Sequence, residues 1–246
     1  FDPLANQTVT AATADNDSAG FTKSKSAVSV SESGTTETFT VVLNVQPASD
    51  VVISVTSGDT GEATVSASSL TFTTGNWDSA QTITVTGVND DIIDGSQDTT
   101  ITMAVVDGSS DNNFDPLANQ TVTAATADND SAGFTVTQSS GSTGVSESGS
   151  TDTFTVVLTA EPASNVVISV TSGDTAEATV SASSLTFTTG NWDSAQTITV
   201  TGVNDDIIDG SQDTTITMAV VDGSSDNNFD PLANQTVTAA TADNDS

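Results

Sequence analysis

Thr86-Gly87-Val88-Asn89-Asp90-Asp91-Ile92-Ile93-Asp94-Gly95 puts three carboxylates within five positions and closes on a glycine, and the same ten residues return as Thr201 to Gly210. Few chemistries suit such a stretch in this chain. Histidine, cysteine and tyrosine are absent, which removes the usual general base, thiol nucleophiles, disulfides, and zinc and haem ligation. Paired carboxylates such as Asp90 with Glu32 could run glycoside hydrolysis. No further group stands by to build a wider site, and an enzyme is not expected. An oxygen-only set of carboxylates, Asn amides and backbone carbonyls suits a hard cation with about six to eight ligands, and favours Ca2+ over Mg2+. The spacing is not that of an EF-hand. Asp15-Asn16-Asp17-Ser18-Ala19-Gly20 begins like one, but its fifth residue is Ala19 and its twelfth is Ser26.

The charge of the whole chain points the same way. Thirty-three acids stand against Lys23 and Lys25 alone, for a net charge of −31 over 246 residues. Such a polyanion is repelled by nucleic acid and by anionic membrane surfaces, and attracts cations. No run of about 18 apolar residues is present, so no membrane insertion is expected in this segment. The other reading of the acidic stretch is a solvated turn on a generally acidic surface, and composition leaves both open.

Phe1-Asp2-Pro3-Leu4-Ala5-Asn6-Gln7 recurs at Phe114 and at Phe229, and Glu62 to Ser131 is identical to Glu177 to Ser246. The repeats give three segments: 1–17 as the terminal strand of a preceding repeat, 18–130 as repeat one, and 131–246 as repeat two, with a two-residue insertion near Ser139–Gly144. The parent is expected to be a longer tandem array. Residues 1–17 can be read as the cut end of another repeat, or as a strand that completes a sandwich in a neighbouring chain.

Within repeat one, Phe21 to Val30 is a weakly patterned first strand, and apolar residues interleave with Thr and Ser in Thr38 to Leu43, Val51 to Val55, Leu70 to Thr73, Thr82 to Thr86, Thr99 to Val106 and Gln120 to Thr126. A further short strand is possible over Ala63–Val65. No segment keeps a helical period. About seven short strands separated by turn signals predict an all-β chain of tandem immunoglobulin-like antiparallel β-sandwiches. Trp77 and Trp192 are read as plugs of the core rather than sugar-stacking platforms.

Alternating strand direction sorts the connections by end. Those after the first, third and fifth strands, and the end of the seventh, fall at one tip. They carry Glu32, then Asp59 and Glu62, then Asn89 to Asp94, then Asp128-Asn129-Asp130. The acids scattered along the repeat therefore converge where no Lys or Arg can neutralise them. Asp107 to Asn113 falls at the opposite end and reads as a loop, with a secondary cation site as the alternative.

Val30-Ser31-Glu32, the Leu70-Thr71-Phe72 strand, the Gly75-Asn76-Trp77 turn, Gly87-Val88-Asn89-Asp90-Asp91 and Asp128-Asn129-Asp130 occur here in consistent order. In this the chain resembles the Calx-beta family and related cadherin-like repeats of large bacterial surface proteins. The resemblance implies Ca2+ at the domain tip, held by Glu32, Asp90, Asp91, Asp94, Asp128 and Asp130, and in repeat two by Glu147, Asp205, Asp206, Asp209, Asp243 and Asp245. The connection after the third strand lacks the family's glycine-rich acidic form, so no role passes to Asp59 and Glu62. The chain is thereby expected to be an extender of a long secreted or cell-surface adhesin or fibre. Its partners would be neighbouring repeats and, in a fibre, other copies of itself. A self-assembling filament, or a module binding carbohydrate or protein, is the alternative.

Overall fold

The computed structural model describes residues 5–14 and 16–245, which contain eighteen strands and no helix. By contacts the chain falls into two compact units. One takes residues up to Asn89 with Asp98–Ala127, and the other takes Asp90–Gln97 with the residues from Asp128 onward.

The first unit runs β1 Phe21–Lys23, β2 Ala27–Ser31, β3 Thr36–Leu43, β4 Val51–Ser57, β5 Ala63–Val65, β6 Ser69–Phe72, β7 Gln81–Gly87, β8 Gln97–Val105 and β9 Gln120–Ala127. One sheet has the order β1-β3-β7-β5 and the other β2-β9-β8-β4-β6. Every pair is antiparallel except β2 with β9. Strict alternation builds the core: Phe39, Val41 and Leu43 of β3 point inward between half-exposed threonine and valine, and Ile83 and Val85 do so from β7. Each fully buried aliphatic or aromatic side chain contributes about 1.5–3 kcal/mol. Phe39, Phe72 and Phe114 are the largest of them, and Trp77 packs half-buried against the same core.

The second unit repeats this order with β10 Phe134–Gln138, β11 Thr143–Ser146, β12 Thr151–Leu158, β13 Val166–Ser172, β14 Ala178–Val180, β15 Ser184–Phe187, β16 Gln196–Gly202, β17 Gln212–Val220 and β18 Gln235–Ala242. Its sheets are β10-β12-β16-β14 and β11-β18-β17-β13-β15, with β11 parallel to β18. Phe154, Phe187 and Phe229 fill its core, and Trp192 packs half-buried against it.

The expected first strand, Phe21 to Val30, is broken in two. β1 pairs with β3 and β2 pairs with β9, so the chain changes sheet at Ser24, whose N–H donates to Thr40 O at 2.9 Å. Facing inward from the opposite sheet reverses the parity of the buried positions, from Phe21 to Val28 and Val30. That reversal is why the pattern there is weak.

Residues 5–14 are exposed and form no strand. Residues 1–4 and 15, which belong to the expected terminal strand and the EF-hand-like start, lie outside the described residues. A strand is held by a ladder of hydrogen bonds to a neighbour, and residues 5–14 pair with none of the described strands.

Candidate metal centre

The second unit shows how the fold assembles its acids. Glu147 comes just after β11 and prolongs the parallel pairing with β18 by one step, its N–H donating to Ala242 O at 3.1 Å. This buries the side chain to 2% exposure. Its Oε2 accepts from Asn244 N at 3.1 Å. Asp243-Asn244-Asp245 follows β18 and folds back on itself: Asp243 Oδ1 accepts from Asp245 N at 2.6 Å and Oδ2 from Gly210 N at 2.9 Å. One carboxylate oxygen from each of Glu147, Asp243 and Asp245 lies within 4.8 Å of the others.

A second group joins Glu177, Asp205 and Asp209 under the same 4.8 Å limit. Glu177 precedes β14 and is pinned through its main chain, its carbonyl accepting from Val203 N at 2.8 Å and Thr241 Oγ1 at 3.3 Å. Asp205 Oδ1 accepts from Ile207 N at 2.8 Å and so shapes the acidic turn. Glycine sets both ends of this stretch. A Cβ on Gly202 would stand 2.2 Å from Ser146 O, so only glycine lets the end of β16 pass this close to the end of β11. Gly210 closes the turn at φ +77°, a conformation that other residues rarely adopt.

Crowding leaves a clear electrostatic imprint. Burial pushes the carboxyls of Asp245 and Glu177 above the usual carboxylate range, and neighbouring carboxylates push them further: Asp243, Asp206 and Asp205 around Asp245, and Asp209, Asp205, Asp174 and Glu147 around Glu177. Asp243 is held low by the N–H groups of Asp245 and Gly210. Asp245 Oδ2 and Glu177 Oε2 are buried and accept no hydrogen bond. Both lysines belong to the first unit, so no basic side chain of the second can neutralise these groups. A buried, unsatisfied carboxylate oxygen is costly. A hard cation would relieve it, and the donor set fits one.

The equivalents from the first copy are placed as follows. Glu32 is likewise 2% exposed, its N–H donating to Ala127 O at 3.1 Å, and it belongs to the first unit. Asp90, Asp91, Asp94, Asp128 and Asp130 belong by contact to the second. Asp128 accepts from Gly95 N at 2.9 Å and Asp130 N at 2.6 Å, and Asp90 Oδ1 from Ile92 N at 2.8 Å. Burial raises the Asp130 carboxyl, helped by Asp128, Asp91 and Asp90, and its Oδ2 is buried without a hydrogen-bond partner. Asp91, Asp94 and Asp206 are exposed, and Asp206 falls in neither group of the second unit.

Glu177 is the residue that sequence reasoning passed over. Its signal was positional: it precedes a three-residue strand whose first residue, Ala178, pairs with Gly202 at the entry to the acidic turn. At the opposite end Asp111 and Asp226 are buried for another reason. Asp111 accepts from the N–H groups of Ala48, Ser49 and Asn113 at 2.6, 3.1 and 3.0 Å, and Asp226 from those of Ser164 and Asn228 at 2.9 and 3.0 Å. These carboxylates are satisfied by backbone and staple a loop.

Tandem β-sandwiches with carboxylates gathered at their strand ends define a tandem repeat module. The chain belongs to the Calx-beta family, whose domain model matches residues 14–130 and again 126–245. Among solved structures it is similar to CBD12 from CALX1.2, with 13% identity over 89% of this chain and 99% of that one and a TM-score of 0.35. It is also similar to the calcium binding domain CBD12 of CALX1.1, with 15% identity, coverage of 80% and 77%, and a TM-score of 0.30. For domains 4 and 5 of the S-layer protein SbsC the values are 16%, 92% and 100%, and 0.34. No curated protein matches the chain. No helix among the described residues is long and apolar enough to cross a membrane.

Proposed function

We propose that this chain is a structural extender segment of a long secreted or cell-surface protein, an adhesin or fibre, whose repeat tips bind Ca2+. In the second repeat the ligands are Glu147, Asp205, Asp209, Asp243 and Asp245, joined by Glu177, with Asp206 adding charge. In the first they are Glu32, Asp90, Asp91, Asp94, Asp128 and Asp130. The observation that carries the reading is the pair of buried, unsatisfied oxygens, Asp245 Oδ2 and Glu177 Oε2, in carboxylate groups with no basic side chain in their unit. Bound Ca2+ would supply positive charge and accept the carboxylate oxygens as ligands. Its effect is to remove repulsion at each tip, stabilise the fold by mass action and stiffen the connection to the next repeat. An extracellular module needs an affinity of only about 10⁻⁴–10⁻³ M. Half-buried Trp77 and Trp192, with 4% aromatics overall, give little support to a carbohydrate-binding face.

Thermal unfolding tests this in excess Ca2+, in excess Mg2+ and in chelator, on the wild type and on a variant with Asp90, Asp91, Asp205 and Asp206 changed to Asn. A Ca2+-specific rise in midpoint that the variant loses is expected. Equal midpoints in all three conditions would make the acids a solvated surface.

A further inference from the structure

Asp-Gly occurs four times, as Asp94-Gly95, Asp107-Gly108, Asp209-Gly210 and Asp222-Gly223, each time after Ile or Val and before Ser. In all four the glycine stands at φ between +74° and +77°. Such a pair can rearrange with no reactant other than water. The glycine N attacks Cγ of the aspartic acid, the carboxyl hydroxyl leaves with the N–H proton as water, and a cyclic imide closes. Water then reopens the ring. Opening at Cγ restores aspartate, and opening at the former main-chain carbonyl leaves isoaspartate, whose backbone runs through the side chain and is longer by a methylene. The water taken up replaces the water lost.

The fold does not treat the four alike. Gly95 N and Gly210 N donate to Asp128 Oδ2 and Asp243 Oδ2 at 2.9 Å, and each must give up that bond before it can attack. Gly108 N and Gly223 N have no hydrogen-bond partner among the described residues, and Asp107, Gly108, Asp222 and Gly223 are all exposed. An acid also stands beside each of these two turns. Asp115 and Asp107 are joined by a side-chain hydrogen bond, and Asp115 Oδ1 is buried and accepts none. Burial, then Asp107 and Asp111, hold the Asp115 carboxyl above the usual carboxylate range, so it keeps its proton where exposed carboxyls have lost theirs. Asp230 has the same relation to Asp222 and Asp226. A proton from this acid lets the Asp107 or Asp222 oxygen depart as water.

We infer that Asp107-Gly108 and Asp222-Gly223 are sites of spontaneous isoaspartate formation, one in each repeat, with Asp115 and Asp230 as proton donors, and that Asp94-Gly95 and Asp209-Gly210 are spared. The modification lengthens the head of the β8–β9 connection and of its counterpart between β17 and β18. Asp111 and Asp226, stapled by backbone N–H groups, and buried Phe114 and Phe229 hold the rest of each connection in place. The inference does not rest on the ion sites, which lie at the other end of each sandwich.

Ageing the whole chain at about pH 5, roughly one unit above the ordinary aspartate value, tests it. Chelator is present throughout, so that no bound cation can be what spares the tips. One sample is native and one is unfolded in urea, and isoaspartate is located by peptide mapping. The two copies give the same peptides over this region and are read together. In the native chain isoaspartate should accumulate several-fold faster at Asp107 and Asp222 than at Asp94 and Asp209. Unfolding should erase the preference, because the residues flanking the four pairs nearly match. A variant carrying Asp115→Asn and Asp230→Asn should lose the preference in the native sample and age like wild type in urea. Equal native rates at the four pairs would overturn the inference, as would a preference that survives in urea. A folded variant that keeps the wild-type preference would remove the proton donors. Should the variant unfold, the donors are tested on the wild type by pH: the native preference should shrink towards neutrality as these acids ionise, and a constant preference would remove them.

Discussion

Thr86–Gly95 and Thr201–Gly210 are one peptide in two settings. Both turns are shaped alike: Asp90 and Asp205 each accept from the N–H two residues on, and Gly95 and Gly210 each donate to the aspartate that follows the last strand. What differs is the isoleucine pair, half-buried against Glu161 and the second core in one case and exposed in the other. The turn's shape is thus a local property of its Asp and Gly residues. Its burial is a property of what it packs against. The same ten residues thus keep one backbone shape in two different surroundings.

The largest effect should come from the glycines, and it should be the same in both copies. A Cβ on Gly87 or Gly202 would lie 2.2 Å from the carbonyl of Ser31 or Ser146, so backbone must move. Gly87→Ala and Gly202→Ala should each destabilise by about 1–3 kcal/mol in chemical denaturation, and unequal losses would break the equivalence of the two tips. The next effect should be unequal. Ile93→Ser removes a half-buried side chain and should cost about 1 kcal/mol, while Ile208→Ser should stay within about 0.5 kcal/mol of wild type. Equal costs would deny the contact with the second core its role.

The smallest effect is that of pH. Asp130 and Asp245 have carboxyls raised in the folded state. A raised carboxyl loses stability as pH rises through its folded value, and that loss is absent below the unfolded value of about 3.9. In chelator, mild acidification from neutrality should therefore raise the thermal midpoint. Further acidification should lower it as Asp111 and Asp243, both held low by N–H donors, take up protons. Saturating Ca2+ should abolish their part of the mild-acid gain. If that gain persists unchanged in Ca2+, these carboxyls do not face the ion.

Much of this was legible in sequence, for local reasons. Alternation of Val, Ile and Phe with Thr gave the strands that carry the cores, as in β3 and β7, and alternating direction brought Glu147, Asp205, Asp209, Asp243 and Asp245 to one end. The break between β1 and β2 was hidden because a strand that changes sheets reverses its own parity. Glu177 was hidden because its place depends on the main-chain bond from Val203, a contact across 26 positions. The seating of Ile92 and Ile93 was hidden because it depends on Glu161 and Asn228, residues far along the chain.

The most direct test of the tip as an ion site is calorimetric titration of the chain with Ca2+, set beside Mg2+ and beside a variant carrying Glu177→Gln, Asp205→Asn and Asp245→Asn. Saturable, Ca2+-selective binding is predicted, with the variant losing the second tip's share and keeping the first's. Titration heats with no saturable component at millimolar Ca2+, or a variant that binds as wild type does, would contradict the account.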